Sequence, residues 1–457
     1  MQALDSSFRD PSGYIFTRDK KFYRVVNNSY KNNLNLLEES GLYKRLVEKN
    51  KILPHTKCES IDIDDTDIYK IIFPEQLTHV SYPYEWCFSQ LKDAALLTLD
   101  IQESSLQYGM SLKDSSAYNV QFHRGLPVMI DTLSFEEYKE GEPWVAYKQF
   151  CQHFLAPLTL ASYVDIKSIR LLQLFIDGIP LDYVVKQLPL KAIVRPSIFM
   201  HIYLHSQAQN RNSNNVKVAK KNISKTSILG LIGSLRSIIN SLEWSPVDTE
   251  WGEYYADTNY STLSMNKKHQ VIGEIINDLK PSTLWDIGGN NGEFTRLASN
   301  KGIDSVLFDI DYAAIEKSYR VSKIEKEKNI ASFVMDFTNP SPGLGWNNKE
   351  RPSIFNRSSA DIVLALALIH HLCISNNLPF NLIAIFFARL TSKYLVIEFV
   401  PKSDSQVKHL LRTREDIFSN YDQQSFESAF LELFNITKNI KVENSDRIIY
   451  LMEKREL

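Results

Sequence analysis

Leu284-Trp285-Asp286-Ile287-Gly288-Gly289-Asn290-Asn291-Gly292-Glu293 is the stretch whose reading decides the fold. Leu284, Trp285 and Ile287 form an apolar run suited to a buried parallel strand, and the run breaks at once into glycines. Phe294 to Ala298 then has helical spacing, so the sequence predicts a strand, a glycine turn and a helix start. Glycine serves such a turn because it takes positive φ without steric cost and lets a ligand approach the backbone with no Cβ in the way. Asp286 falls at the carboxyl edge of the strand, where open α/β sheets bind their ligands. The spacing Asp-x-Gly-x-x-x-Gly is distinct from the dinucleotide fingerprint Gly-x-Gly-x-x-Gly.

An ordered series follows the turn. Residues 305–311 read as a second apolar strand ending in carboxylates, with Asp309 about 20 residues beyond the glycines, the separation at which an acid can accept hydrogen bonds from ribose hydroxyls. Residues 331–336 form a third strand ending in Asp336, and 361–367 a fourth that runs into Leu368, Ile369, His370 and His371. A fifth is expected over 393–400, and 440–442 and 448–452 flank Asn444-Ser445-Asp446 as a hairpin. The turn resembles motif I of the class I S-adenosylmethionine-dependent methyltransferases, and the series resembles their Rossmann-like α/β sheet with its closing antiparallel hairpin. That resemblance implies a cofactor site built from Asp286, Gly288, Gly289, Gly292 and Leu366, with Asp309 on the ribose and Asp336 on the adenine amino group.

The same resemblance directs attention to His370 and His371, which follow the fourth strand where the family's substrate pocket opens. Methyl transfer is an in-line displacement, so the protein chiefly aligns nucleophile and sulfonium, with a base where the nucleophile holds a proton. Histidine titrates in the useful range. The alternative for either histidine is a structural role or a helix cap. The sequence after this strand lacks the Asn/Asp-Pro-Pro-Tyr tetrapeptide of amide and adenine amino-group methyltransferases, which points to O- or C-methylation of a small molecule.

Outward from this core, 457 residues predict two to four domains, and 44% hydrophobic with 23% charged residues is ordinary globular composition. A net charge of −2 gives no electrostatic case for non-specific nucleic-acid binding. Cys58, Cys87, Cys151 and Cys373 lie far apart with no CxxC pair, which reads as reduced thiols in a cytoplasmic protein. No stretch approaches the length of a membrane-spanning helix, so no membrane partner is expected.

The N-terminal half carries a second constellation. Residues 14–16 and 22–26 read as a hairpin, 34–47 as a helix, 69–73 as a strand and 86–108 as a long helix. Asp114 and Asn119 have the Asp-x-x-x-x-Asn spacing of a kinase catalytic loop, and Asp131 ends the strand over 128–130. The order of elements resembles a small kinase lobe and its hinge, which would make Asp114, Asn119 and Asp131 the proton acceptor and Mg-ATP ligands. The pattern departs from the family, however. Leu-Lys-Asp replaces His-Arg-Asp, Asp131-Thr132-Leu133 replaces Asp-Phe-Gly, Arg24 stands on the strand of the phosphate-binding lysine, and no glycine-rich loop precedes Phe22. The reading is an α+β degenerate kinase-like accessory domain over 1–240, with a small lobe to about 85 and a helical lobe from 86. The methyltransferase domain then spans 241–457.

Residues 210–225, rich in Asn, Ser and Lys, read as a solvated boundary region. Trp251, Tyr254, Tyr255 and Tyr260 precede a helix over 267–279. They read either as an aromatic cap, within 241–280, over a sulfonium, or as packing between domains. Phrases at 8–13, 81–86, 130–136, 367–372 and 398–402 resemble bacterial proteins grouped with the host-specific nodulation methyltransferases. Three functions stand: a methyltransferase with a small-molecule acceptor, a bifunctional enzyme that also transfers phosphate, and a cofactor-binding regulatory protein without turnover.

Overall fold

The structure, a computed structural model, describes residues 2–58, 61, 65–207, 222–246, 262–412 and 414–456. The chain forms two compact units. Unit 1 comprises Met1–Leu77, Ser81–Ser245 and Gly343–Pro352, and unit 2 comprises Thr78–Val80, Pro246–Pro342 and Ser353–Leu457.

In unit 1, β1 (Gln2–Ala3), β2 (Gly13–Arg18), β3 (Lys21–Asn27), β4 (His55–Lys57) and β5 (Ile68–Pro74) form an antiparallel sheet in the order β1-β2-β3-β5-β4. The β2–β3 hairpin turns at Asp19 and Lys20, both at positive φ, as a two-residue loop matched to strand twist requires. The single helix expected over 34–47 is instead two, α1 (Lys31–Glu39) and α2 (Leu42–Glu48). Gly41 at φ 84 reverses the backbone between them. Leu34 of α1 packs with Val26, Tyr30, Ile72 and Leu133, which ties the helix to the sheet.

The long helix α3 (Phe88–Gln107) begins where Gln90 Oε1 accepts the Cys87 N–H at 2.9 Å. Beyond it come two ribbons, β6 (Met110–Leu112) paired with β9 (Phe135–Glu137), and β7 (Val120–His123) paired with β8 (Leu126–Met129). The sequence reading did not anticipate β7, whose Val120-Gln121-Phe122-His123 alternates over only the four residues at which such a signal begins. Short helical segments lead on to α4 (Lys225–Ser241), whose Arg236 pairs with Asp100 and Glu103 of α3.

Unit 2 opens with α5 (Thr262–Leu279), whose first described residues follow directly on the expected aromatic cap. Trp251, Tyr254, Tyr255 and Tyr260 themselves lie outside the described residues. The sheet strands are β10 (Thr283–Ile287), β11 (Asp304–Asp309), β12 (Ile330–Val334), β13 (Ala360–Ala365), β14 (Thr391–Phe399), β15 (Phe434–Lys441) and β16 (Ile448–Lys454). Their order is β12-β11-β10-β13-β14-β16-β15, parallel except for β16, which runs antiparallel to both neighbours. This is an α/β sheet with all five expected parallel strands and the closing hairpin, although the first hairpin strand starts at Phe434, ahead of the expected 440.

The central strands are near-continuous hydrophobic runs, as both faces of the sheet are covered. Ile272 and Ile276 of α5 and Ala298 of α6 (Glu293–Ser299) pack against Leu284, Ile362, Leu364, Val396 and Leu451 on one face. On the other, His79 contacts the rings of Trp285, Phe308 and Phe333 at centroid distances of 5.4–5.6 Å. Among the described residues no helix is long and apolar enough to cross a membrane.

Candidate functional site

Strand β10 lies between β11 and β13, so the chain leaves it in one direction and later returns on the other side. A crevice opens outside the carboxyl ends of the strands at such a reversal. The glycine turn stands there. Gly288 at φ 71, Asn290 at φ 52 and Gly292 at φ 85 all occupy the left-handed region, and the Gly288 N–H donates to the Phe308 carbonyl at 2.8 Å. A Cβ on Gly289 would lie 2.5 Å from the Asp286 carboxyl carbon, so the turn presses its bare backbone onto that acid.

Asp286 is 1% exposed and accepts the Thr295 hydroxyl at 2.7 Å. Asp309 accepts the backbone N–H of Asn290 on Oδ2 at 2.8 Å and that of Asp311 on Oδ1 at 2.9 Å, bracing the glycine turn from the neighbouring strand. Burial pushes each carboxyl up to about 6. Asn291 Oδ1, in the same turn, is buried with no hydrogen-bond partner among the described residues. Asp286, Gly288, Gly289, Gly292 and Asp309 thus sit together. Asp336 stands two residues beyond β12, where its Oδ1 accepts the Thr338 N–H at 2.9 Å and the Thr338 hydroxyl at 2.6 Å. Leu366 is buried just past β13.

Strand β13 ends at Ala365, and Ala367 turns out of it at φ 51. Leu368 then comes within 3.2 Å of the Cβ position that Gly288 lacks, so the two turns touch. His370 and His371 follow with ring centroids 4.1 Å apart. Burial, with His371 and the Arg447 guanidinium nearby, holds His370 well below the ordinary histidine range, and its buried Nδ1 has no partner among the described residues. Burial and Arg447 lower His371 to about 4. Burial thus biases both imidazoles towards the neutral form.

Behind this turn lies a buried ion pair that the sequence reading did not select. Lys268 Nζ of α5 donates to Glu398 Oε2 of β14 at 2.8 Å, with the side chains 3% and 0% exposed. The signal was a carboxylate inside the apolar run Leu395-Val396-Ile397-Glu398-Phe399, since a buried strand tolerates a charge only when it is partnered. Further along the same edge, Ser264, Asp404, Ser405 and the 441–447 loop line an open cleft of about 730 Å³. The register Phe399↔Ile448 puts that loop at the carboxyl edge of the sheet.

In unit 1, Asp114, Asn119 and Asp131 fall into one local network. Asn119 Nδ2 donates to Ser134 Oγ at 3.1 Å, and the Ser134 hydroxyl donates in turn to Asp131. Arg24 forms an ion pair with Asp131, and the side chains are 13% and 15% exposed. Burial would raise Asp131, but Arg24 and Ser134 hold it below the usual carboxylate range. Asp114 accepts the Ser116 N–H at 2.8 Å, and burial raises it. Among the described residues no group of three or more His, Cys, Asp or Glu side chains is arranged to hold a metal ion.

No family model matches the chain. Nodulation protein NoeA of Rhizobium meliloti (strain 1021) is 32% identical over 462 residues, which span 98% of this chain and 96% of that protein. The chain belongs to the NoeA family of nodulation proteins. With NoeA matched nearly from end to end, both units fall within the shared length.

Two solved structures are also similar to this NoeA-family chain. The magnesium protoporphyrin IX methyltransferase ChlM from Synechocystis PCC 6803, solved with bound SAH, is 12% identical with a TM-score of 0.32, over 45% of this chain and 93% of its own. The N-methyltransferase NodS from Bradyrhizobium japonicum WM9 is 11% identical with a TM-score of 0.32, over 43% of this chain and 99% of its own.

Proposed function

We propose that unit 2 is an S-adenosylmethionine-dependent methyltransferase acting on a small-molecule acceptor at oxygen or carbon. The observation that carries this reading is the glycine turn at the strand reversal, with Asp286 and Asp309 buried behind it. The residues present fit the cofactor. Gly288, Gly289 and Gly292 let the turn close onto Leu368, Asp286 and Leu307 where a Cβ would collide, and the unpartnered Asn291 Oδ1 and two desolvated carboxyls suit a ligand bearing hydroxyls and positive charge. When bound, the cofactor would supply an electrophilic methyl group on a sulfonium. Asp309 would take the ribose hydroxyls on its free lone pairs, and Asp336 the adenine amino group. His370 and His371, neutral in this setting, would orient an acceptor hydroxyl by hydrogen bonding rather than remove its proton. The cleft beside the 441–447 loop is the proposed place of the acceptor. The proposal of a cytoplasmic protein rests on four cysteines that lie far apart in the sequence with no CxxC pair.

Unit 1 is proposed as a kinase-like accessory module without phosphoryl transfer. Asp131, the carboxylate that metal-dependent chemistry would need, is engaged by Arg24 and Ser134, which supports this over a bifunctional enzyme. The boundary is proposed near residue 245 rather than 240.

The pH dependence of binding tests the cofactor reading. With Asp286 and Asp309 titrating at about 6 in the free protein, affinity for S-adenosylmethionine is expected to be level from pH 8 to 7. It should then fall by roughly tenfold per required carboxylate at pH 5. The contribution of the same groups to stability runs the other way. Their folded-state values are raised, so that contribution is fully present below about 3.9 and is lost as the pH rises through about 6. Calorimetric titration across this range, paired with melting curves of the free protein, checks both directions. Affinity that is flat down to pH 5 would remove the carboxylates from the site.

A further inference from the structure

We infer that Lys268 and Glu398 are positioning residues for the proposed cofactor site, and that they hold the left-handed turn at Ala367 on which Leu368, His370 and His371 are carried. The inference rests on the reading of unit 2 given above. Glu398 Oε2 accepts two hydrogen bonds, from Lys268 Nζ at 2.8 Å and from the Ala367 backbone N–H at 2.7 Å. Ala367 needs such a hold. Its φ of 51 is a conformation that alanine adopts only when its surroundings impose it.

Both ends of this linkage lead back to the glycine turn. Leu368, the next residue, packs within 3.2 Å of the Cβ position missing from Gly288. Lys268 Nζ also stands 5.0 Å from the ring centroid of Phe294, in the first turn of the helix that follows Gly292. The ion pair therefore ties the turn after β13 to the turn after β10 through groups that contact both. A buried pair of charges is weak support for stability alone, since apolar residues of the same volume commonly serve as well or better. Here one carboxylate oxygen also satisfies a backbone donor in a strained turn, a task that an apolar replacement leaves undone.

The test uses the full chain and neutral pairs, so that neither member of the ion pair is left as a buried lone charge. Lys268→Met with Glu398→Gln keeps a carbonyl acceptor for the Ala367 N–H. Lys268→Met with Glu398→Leu deletes it. Hydrogen exchange of a peptide spanning 366–372 is expected to stay slow in the first pair and to quicken by about tenfold or more in the second. Calorimetry with S-adenosylmethionine should find near-native affinity in the first pair and a loss of about tenfold in the second. Adding Ala367→Gly to the second pair should restore the affinity, because glycine takes positive φ unaided, while the same change in the native background leaves affinity unaltered. Native affinity and slow exchange in the Met/Leu pair, or no rescue by glycine, would overturn the inference. If the native protein does not bind S-adenosylmethionine but exchange follows the expected pattern, the methyltransferase reading fails and the account of the turn stands.

Discussion

Gly289→Ala is expected to lower affinity for S-adenosylmethionine on the order of 100-fold, because a displacement of about 1 Å in a positioned site costs that much. The new methyl would lie 2.5 Å from both Cγ and Oδ2 of Asp286 and 2.6 Å from Leu307 Cδ1. None of these is the far end of a flexible chain. Asp286 is fixed by its bond to Thr295, and Leu307 is fully buried in β11. The turn must rise off the strand or the carboxylate must swing out of it, and either movement disturbs the cradle. Overpacking of this kind also destabilises by about 1–3 kcal/mol, so unit 2 should melt earlier. Gly273→Ala is the matching control. It lies inside α5 with nothing within 4 Å of its added Cβ, and should leave affinity unchanged with neutral or improved stability. Calorimetry and thermal melts of both variants decide the matter.

Asp131→Ala should have the larger effect on stability. It leaves the partly buried Arg24 guanidinium without its partner and also deprives the Ser134 hydroxyl and the Leu133 N–H of their acceptor. Breaking a fully buried pair by removing one partner costs about 3–5 kcal/mol, so this partly buried one should cost somewhat less, on the order of 2–3 kcal/mol. Removing both charges together, Arg24→Leu with Asp131→Leu, should cost distinctly less, because no partly desolvated lone charge remains. The pair also bears on chemistry. Incubation of the native protein with labelled ATP and magnesium is expected to give no phosphate transfer that depends on Asp131. Robust transfer that disappears in Asp131→Asn would reinstate the bifunctional enzyme.

Much of unit 2 was legible because its signals are local. Apolar runs of strand length, three of them ending in an acid or a glycine, mark the parallel strands, and the ends were misplaced. Asp311, Asp336 and Ala367 were read into strands that stop two residues earlier, at Asp309, Val334 and Ala365. All three stand at the sheet edge, two of them acids and the third an alanine forced to positive φ, where apolar patterning no longer constrains the backbone. The break between α1 and α2 was written in Gly41, but the helical spacing of leucines on both sides concealed it.

What could not be read was non-local. Nothing in residues 343–352 marks them as part of unit 1, yet Glu350 is 1% exposed and its carboxylate is bound by Arg9 Nε at 2.6 Å. Lys268 and Glu398 stand 130 positions apart and carry no motif. The lowering of His370 and His371 by burial and by Arg447 is likewise a product of the fold that their residue type does not announce. Arg24 was visible as a departure from a phosphate-binding lysine, but its engagement with Asp131 depends on the fold.

The central claim is that the glycine turn and Asp309 bind S-adenosylmethionine, and titrating this ligand into the native protein and into Asp309→Ala tests it most directly. Saturable binding by the native protein, with a loss of roughly 100-fold in the variant from the missing ribose acceptor and the freed Asn290 N–H together, is the predicted result. No binding by the native protein at millimolar ligand, or equal affinity in Asp309→Ala, would contradict it.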